Sequence, residues 1–504
     1  MIKTIKSIKN HQKTQILHSL PEYTQASFTC ILSFALTFIL SLNIYDFSHR
    51  TLNVYIFGTF VAYTLFTCLQ FIITLKVKHD LLNLGYVQNK TRILGYIQLL
   101  SIFVGNIFIT IAAFHLIKKQ KTLEYTFAVY MFLTQLLIIV LSALNLFKPY
   151  VADTFLSSMF ILLAVLIFQL ITLLLVAKYV QNNKPAPWFI YIAIPLLLTA
   201  ITGNLFALLL GINLIMKIYS SDKSKIMQWD SIWKKITQNT TAMLGLFFIV
   251  FIFSISICSY LTFDYSMAVE NNYNVILQAP SLAYPFGTDD FGRDLFSRIV
   301  FGARISLVVG LISTIIPVVI GGILGALSGY YGHRTDNIIM RLLDILYAIP
   351  GILLAIAIIA AFGANTTNLI VALSIGSIPT YARTMRANVM MVSNYEYVLS
   401  ARAYGLNNFS IIFKHIVPNS LAPMIVKSTL TIGGAVIATS SLSYLGLGVE
   451  PHIPEWGNIL KIGSTYLESH SYLAIYPGLA IITLVLSFNF LGDGLRDALD
   501  PKLD

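Results

Sequence analysis

Apolar runs long enough to cross a membrane dominate this chain and leave little room for another kind of fold. A spanning helix needs ~20 mostly apolar residues. Twelve such windows can be counted. Six lie in the first half, at 26–44, 52–76, 94–117, 124–147, 154–179 and 187–216. Six more follow, at 242–263, 302–328, 338–361, 367–388, 420–447 and 471–491. Hydrophobic residues make up 57% of the chain and charged residues 11%, whereas a soluble domain carries roughly 25% charged residues. The expected fold class is therefore an all-α polytopic membrane protein, with the lipid bilayer as its main solvent.

Charge then orients the spans. The net charge is +11, but the basic residues are spread over loops instead of forming one block interleaved with aromatics. That excludes nucleic acid as the expected partner and fits the positive-inside rule. The segment 76–93, with Lys76, Lys78, Lys90 and Arg92, reads as cytoplasmic. So does 217–239, with Lys217, Lys223, Lys225, Lys234 and Lys235. Six spans with both ends inside satisfy these, yet the same count places Lys118, Lys119 and Lys121 outside, against the rule. Lys3, Lys6, Lys9 and Lys13 precede the first apolar run without a small-residue cleavage site, so the N-terminus is expected to be a retained cytoplasmic tail. The C-terminal tail, Gly492 to Asp504, is expected in the cytoplasm too. Cys30, Cys68 and Cys258 sit in apolar runs at no disulfide or metal spacing, and no metal site is expected. The expected domains are 1–220, a linker at 221–241, and 242–504.

One polar interruption is shaped. Residues 397–419 read YVLSARAYGLNNFSIIFKHIVPN. The pattern predicts a short helix from Asn394, as N-cap, to Tyr404, stopped by Gly405. A second helix starts at Asn407 or Asn408, and Pro418 ends it. Phe409, Ile412, Phe413 and Ile416 fall at i, i+3, i+4, i+7, one helical face. An apolar stripe outside the membrane either fills a groove on a soluble partner or lies on the lipid surface.

Three further stretches carry interleaved charge and turn residues. In 287–298, Gly287, Asp289, Asp290, Gly292, Arg293, Asp294 and Arg298 can tie a loop over the end of a bundle, or form a docking surface for another protein. In 448–456, GVEPHIPEW is a proline-rigid turn whose Trp456 suits an interface anchor. In 492–500, Asp493, Arg496, Asp497 and Asp500 on a helical tail favour an intramolecular salt network, with Gly492 and Gly494 beside them. Within the spans, Asp344, Lys427 and His115 all sit near a span end and read as interfacial anchors before substrate contacts. Pro350–Gly351 can kink the span at 338–361. Gly321, Gly322, Gly325, Gly329, Gly433 and Gly434 allow helices to approach closely. No G-x-x-x-x-G-K-[ST], H-E-x-x-H, C-x-x-C or G-x-S-x-G occurs, so the chain has no phosphate-cradling loop of that type and is not expected to be an enzyme.

YVLSARAYGLNNFSIIFKHIVPN resembles the EAA coupling loop of ATP-binding-cassette (ABC) importer permeases, spanning about 394–419. Ala401, Gly405 and Pro418 sit where that family has them, while Leu399 takes the Glu position, Ser400 the first Ala and His415 the usual Ile. Glu396, one turn earlier, can supply a negative charge. The stretches PFGTDDFGRDLFSRIVFGARISLVVG, SYLGLGVEPHIPEWGNIL and FLGDGLRDALDPKL resemble, in order, signatures of the C-type permease of oligopeptide, dipeptide and nickel importers. The resemblance covers about 240–504; typical subunits of that family lack a counterpart of the first 220 residues. It implies a six-helix permease bundle preceded here by about six further transmembrane helices. It also implies a related second permease subunit (a heterodimer), two cytoplasmic ABC ATPases that bind ATP and Mg, and an extracytoplasmic substrate-binding protein. This chain is expected to bind no cofactor of its own. Leu399, Ser400, Ala401, Arg402, Gly405, Phe409, Ile412, Phe413, Ile416 and Pro418 would form the ATPase-coupling loop. The cargo would be oligopeptides or dipeptides. The alternatives are nickel or a metal chelate, or, in a different class, a membrane sensor or assembly protein working through the N-terminal half.

Overall fold

The computed structural model describes residues 17, 20–46, 51–52, 54–180, 185–219 and 223–500. The basic N-terminal tail with Lys3, Lys6, Lys9 and Lys13 lies outside these residues, as does the end of the C-terminal tail. The described fold is helical, apart from a two-residue antiparallel ladder, Tyr45–Asp46 with Thr51–Leu52. Eight of its helices are long and apolar enough to cross a membrane, or nine if one bent pair counts as a span. The chain is an all-α polytopic membrane protein.

In the first half the helices are α1 (Pro21–Leu42), α2 (Val54–Leu84), α3 (Asn89–Gln98), α4 (Ile107–Ile117), α5 (Leu123–Ala143), α6 (Phe155–Tyr179), α7 (Ile190–Thr199), α8 (Leu205–Tyr219) and α9 (Lys223–Gln238). Four of the six expected windows are single long helices. The other two are broken. The 94–117 window turns back on itself: a 3-10 turn at Leu99–Val104 leads to Gly105, at φ +76°, and α4 begins at Asn106, whose side chain accepts from Ile109 N at 3.1 Å. A Cβ on Gly95 would lie 2.8 Å from Ile117, so α3 and α4 pack as an antiparallel hairpin. The 187–216 window breaks at Gly203, φ +82°, and Gly211 faces Leu197 and Ala193 in the same manner.

The first hairpin explains the charge anomaly. Arg92 Nη1 donates to the carbonyls of Leu116 at 3.0 Å and Lys118 at 3.1 Å, and its Nη2 pairs with Glu22 at 3.2 Å. Lys118 therefore lies at the same end as Arg92, not at the opposite one. Lys217 at the end of α8 pairs with Glu124 at 2.7 Å and Asp230 at 2.9 Å. Lys118 Nζ also donates to the Ala177 carbonyl. The basic loops of this half thus gather at one end, as the positive-inside rule requires. A sequence window cannot register the fold-back because Gly105–Asn106 interrupts apolarity for only two residues.

The helices of the second half are α10 (Thr240–Thr262), α11 (Leu295–Tyr331), α12 (His333–Tyr347), α13 (Gly351–Phe362), α14 (Thr366–Val392), α15 (Glu396–Ala403), α16 (Leu421–Tyr444), α17 (Trp456–Thr465) and α18 (Tyr472–Leu499). The expected span 338–361 is not one helix: α12 and α13 meet at 79°. Pro350 removes a backbone donor at the break. The charges sit on α12, which exposes Ile338, Leu342 and Ile345 on one face and pairs Asp336 with Arg386 and Asp344 with Arg383, each at 2.6 Å. The helix is thus amphipathic, with the character of one that can lie along an interface. The glycine stripe works as expected on α11. Added Cβ atoms at Gly321, Gly325 and Gly329 would fall 2.8, 2.3 and 2.7 Å from the carbonyls of Ile378, Ala382 and Arg386 on α14. Lys427 turns to α14, donating to Thr380 O at 2.6 Å and Thr384 Oγ1 at 2.7 Å. Cys30 and Cys258 are buried and Cys68 is exposed on α2.

Contacts divide the chain into two compact units. One comprises residues up to Leu133 with Ile167–Thr199 and Phe206–Thr240; the other comprises Thr134–Leu166, Ala200–Leu205 and the chain from Thr241 onward.

The hairpin makes a direct prediction about topology. In a cysteine-free background, Lys90→Cys and Lys119→Cys, both exposed positions, should react with a membrane-impermeant maleimide from the same face of sealed vesicles. Labelling from opposite faces would refute the fold-back.

Candidate functional site

The loop at 394–420 is built as two short helices on a fixed base. Tyr395, not Asn394, is the N-cap of α15, and the Asn394 side chain donates to Met390 O at 2.9 Å. At the other end Gly405 N bonds Arg402 O at 2.9 Å and Leu406 N bonds Ala401 O at 3.2 Å, with Gly405 at φ +77°. This is the paired 5→2 and 6→1 arrangement of a glycine-stopped helix. Asn407 caps the next segment, accepting from Ser410 N at 2.7 Å.

That second segment is where the expected stripe changes. Residues 411–416 form a π-helix, which adds a residue per turn. Phe409, Ile412, Phe413 and Ile416 therefore do not share one outward face. Ile411, Ile412 and Ile416 are buried with Val398, Ala401, Tyr381, Met385, Val389 and Met424 in the bundle's own core. Phe413 is half-buried, its ring 4.6 Å from that of Phe409. Phe409 itself is 69% exposed, Leu399 53% and Tyr404 88%. Glu396, Ser400, Arg402 and Pro418 are exposed as well. The outward surface is thus an aromatic and aliphatic patch with Glu396 and Arg402 on it. Sequence reasoning missed its strut: Tyr330, at the end of α11, donates to Asn408 Oδ1 at 2.8 Å and lies under the Arg402 guanidinium at 5.0 Å.

At the far end of the bundle the 287–298 charges are structural ties. Asp289 accepts from Phe291 N and Arg293 N at 2.9 Å and pairs with Arg293 Nε at 2.8 Å; Arg298 Nε lies 3.6 Å away. Arg298 Nη1 donates to Ala268 O at 2.9 Å. Asp294 caps α11, accepting from Ser297 N at 3.0 Å. Asp290 is half-buried; burial, and then the Asp289 carboxylate, raise its pKa above the usual carboxylate range. Gly287 at φ +79° and Gly292 at φ +72° turn the loop, and a Cβ on Gly292 would lie 1.8 Å from Asn272 O.

Trp456 is not an interface anchor. It is buried, and its indole donates to Ile299 O at 2.9 Å on α11. Glu455 caps α17 through Gly457 N and Asn458 N at 2.9 and 3.1 Å, and burial raises its pKa against those hydrogen bonds. At the C-terminus, Asp493, Arg496 and Asp497 form no ion pair among the described residues. Gly492 instead lets α18 approach Leu430 and Thr429 of α16, and Gly494 is buried. Midway along the helices a cavity of about 260 Å³ is lined by Ser313, Gly376, Ser377, Thr431 and Gly434 among others, with no ionisable side chain.

The chain matches the sequence profile of the binding-protein-dependent transport system inner membrane component over residues 318–504. It matches that of the N-terminal transmembrane domain of oligopeptide transport permease C over residues 227–280. It is 42% identical over 282 residues to the glutathione transport system permease protein of Pectobacterium atrosepticum, covering 56% of this chain and 94% of that one. It is 43% identical over 278 residues to the dipeptide transport system permease protein of Alkalihalophilus pseudofirmus, covering 55% and 91%. The chain belongs to the family of binding-protein-dependent inner-membrane permeases. It is a multi-pass plasma-membrane permease subunit of an ABC importer, a family whose members work with ATPase and substrate-binding partners and carry no ATPase site of their own.

The glycine turn gives the stability prediction for this region. Gly292→Ala combines a left-handed φ with backbone overlap and should destabilise the purified chain by ~2 kcal/mol or more. Gly478→Ala, with open space around its Cβ, should leave the thermal midpoint near wild type. Equal midpoints for the two would show that Gly292 is not required.

Proposed function

We propose that this subunit imports short peptides, and that the mid-helix cavity is part of their path. The observation that carries this is the cavity's lining. Hydroxyls and glycines offer weak hydrogen bonds and room, and no fixed charge is present to trap a zwitterionic peptide. The names of the relatives, glutathione and dipeptide permeases, support the same cargo class. Residues 242–504 are the permease proper, 1–220 an accessory domain and 221–241 the connection between them.

In this reading the basic loops with Arg92, Lys118 and Lys217 are cytoplasmic, and so are the 394–420 loop and both termini. A heterodimer with a second permease stands over two ATPases, which hold ATP and Mg; this chain binds neither. The exposed patch of Leu399, Ser400, Arg402, Tyr404 and Phe409 fills a groove on one ATPase. The buried Ala401, Ile412 and Ile416, with half-buried Phe413 and the turn residues Gly405 and Pro418, pass its movement into the bundle. The loop with Gly287, Asp289, Asp290, Gly292, Arg293 and Asp294 receives the binding protein at the opposite end. The C-terminal residues Gly492, Asp493, Gly494, Arg496 and Asp497 close the bundle between α16 and α18.

Two outcomes test this. Reconstituted with its partners, the complex should take up labelled dipeptide or tripeptide, and Gly434→Trp should block uptake while the complex still assembles. Unimpaired uptake would remove the cavity from the path, and uptake of no peptide would refute the cargo. At the coupling loop, Phe409→Ala should lower transport per ATP by about tenfold, the loss of a modest interface hot spot. Leu399→Glu, which restores the family's charge at an exposed position, should retain coupling. The reverse ranking would show that an ion pair, not groove filling, carries the force.

A further inference from the structure

The first half of the chain supplies a charge to the second. Lys148 follows the 3-10 turn that ends α5. Its ammonium lies 2.5 Å from Asp294 Oδ2 and 2.7 Å from Ser297 Oγ, with the side chains of Lys148 and Asp294 2% and 0% exposed. The rings of Phe263 and Phe296 lie within 5.4 Å of the same ammonium. Around it, Ser142 Oγ donates to Thr262 Oγ1 at 3.2 Å, Asn145 to Thr262 O at 2.9 Å and Thr154 Oγ1 to Leu261 O at 2.9 Å. Segment 142–154 is thereby stitched to the end of α10 and the start of α11, inside one compact unit.

A buried carboxylate needs a counter-charge. Asp294 already caps α11, and two backbone N–H groups do not neutralise a full charge in so dry a place. Arg293 and Arg298 are the nearest cations in its own stretch, but they turn to Asp289. Burial lowers the pKa of Lys148, and the proximity of Asp294 pulls it back up. The permease relatives match over more than nine-tenths of their own length and are too short to contain segment 142–154. The counter-ion is therefore a feature of this longer chain.

We propose that Lys148 is a positioning residue for import: the accessory half uses it to fix the 286–294 loop at the start of α11, and so sets the surface offered to the binding protein. The last clause rests on the proposed docking role of that loop. Lys148 touches no cargo. It acts through Asp294, and the prediction concerns charge balance more than packing.

The test uses the whole complex with its binding protein, in nanodiscs, and a spin label on Phe291→Cys, an exposed position in the loop, with Cys30, Cys68 and Cys258 replaced. Lys148→Met should leave Asp294 buried and unpaired. It should mobilise the label and raise, at least fivefold, the binding-protein concentration that half-maximally stimulates ATP hydrolysis, with the maximal rate retained. Lys148→Arg should stay near wild type. The double variant Lys148→Met with Asp294→Asn removes both charges, keeps a capping side chain, and should recover both readouts. A purely steric role for Lys148 would not be rescued in this way. An immobile label in Lys148→Met, a double variant no better than the single, or a mobile label with unchanged binding-protein dependence would each overturn the proposal. Should Lys148→Met fail to assemble, recovery of assembly by the double variant supports the charge pairing and its absence overturns it. A wild-type complex that no binding protein stimulates would refute the docking reading itself, while the label would still decide whether Lys148 orders the loop.

Discussion

The close contact between α11 and α14 is what the permease half depends on. Lipid tails are as apolar as leucine, so helices in a bilayer gain little from hiding apolar surface against each other; they associate by packing backbone to backbone. Gly321, Gly325 and Gly329 make that approach possible along two turns of α11, against carbonyls of Ile378, Ala382 and Arg386. With α14 fixed there, Tyr381, Met385 and Val389 become the floor on which Ile411, Ile412 and Ile416 sit. The outward patch of the loop then has a rigid support.

The same helix also joins the two ends of the permease. At ~1.5 Å per residue, the 37 residues of α11 make one continuous strut. Its first turn is capped by Asp294, and Gly302 lies against the indole of Trp456. Its last turn presents Tyr330 to Asn408 and Arg402. The loop at 287–294 and the loop at 394–420 therefore meet opposite ends of a single element, the first through the Asp294 cap and the second through Tyr330.

Much of this was legible in the sequence, because lipid imposes a coarse rule. Nine of the twelve apolar windows correspond to single helices over most of their length, and the glycine stripe and the Gly405 stop behave as their chemistry dictates. The family signatures were legible too, since they are long and ordered. What escaped were features decided by a few atoms. Gly105–Asn106 reverses the chain inside an apolar window without altering its average. One extra residue per turn at 411–416 turns Ile412 and Ile416 inward, and no residue in IIFKHI announces a π-helix. Trp456 has the composition of an interface anchor, but the missing Cβ of Gly302 leaves a slot that buries it. Lys148 finds its partner 146 residues away in the chain, a pairing that no local pattern announces.

Where charge sits completes the picture. Lys148 and Asp294, Asp289 and Arg293, Asp336 and Arg386, Arg92 and Glu22, and Lys217 and Glu124 each combine opposite signs near a helix end. Lys427 on α16 is held by a carbonyl and a hydroxyl of α14 and does not line the mid-helix cavity. A pair at a helix end loses less hydration than one at the bilayer centre and can still fix the geometry of a loop. The same economy leaves the cavity with hydroxyls, glycines and apolar groups. No ionisable side chain lines that cavity, and the ion pairs sit at helix ends instead.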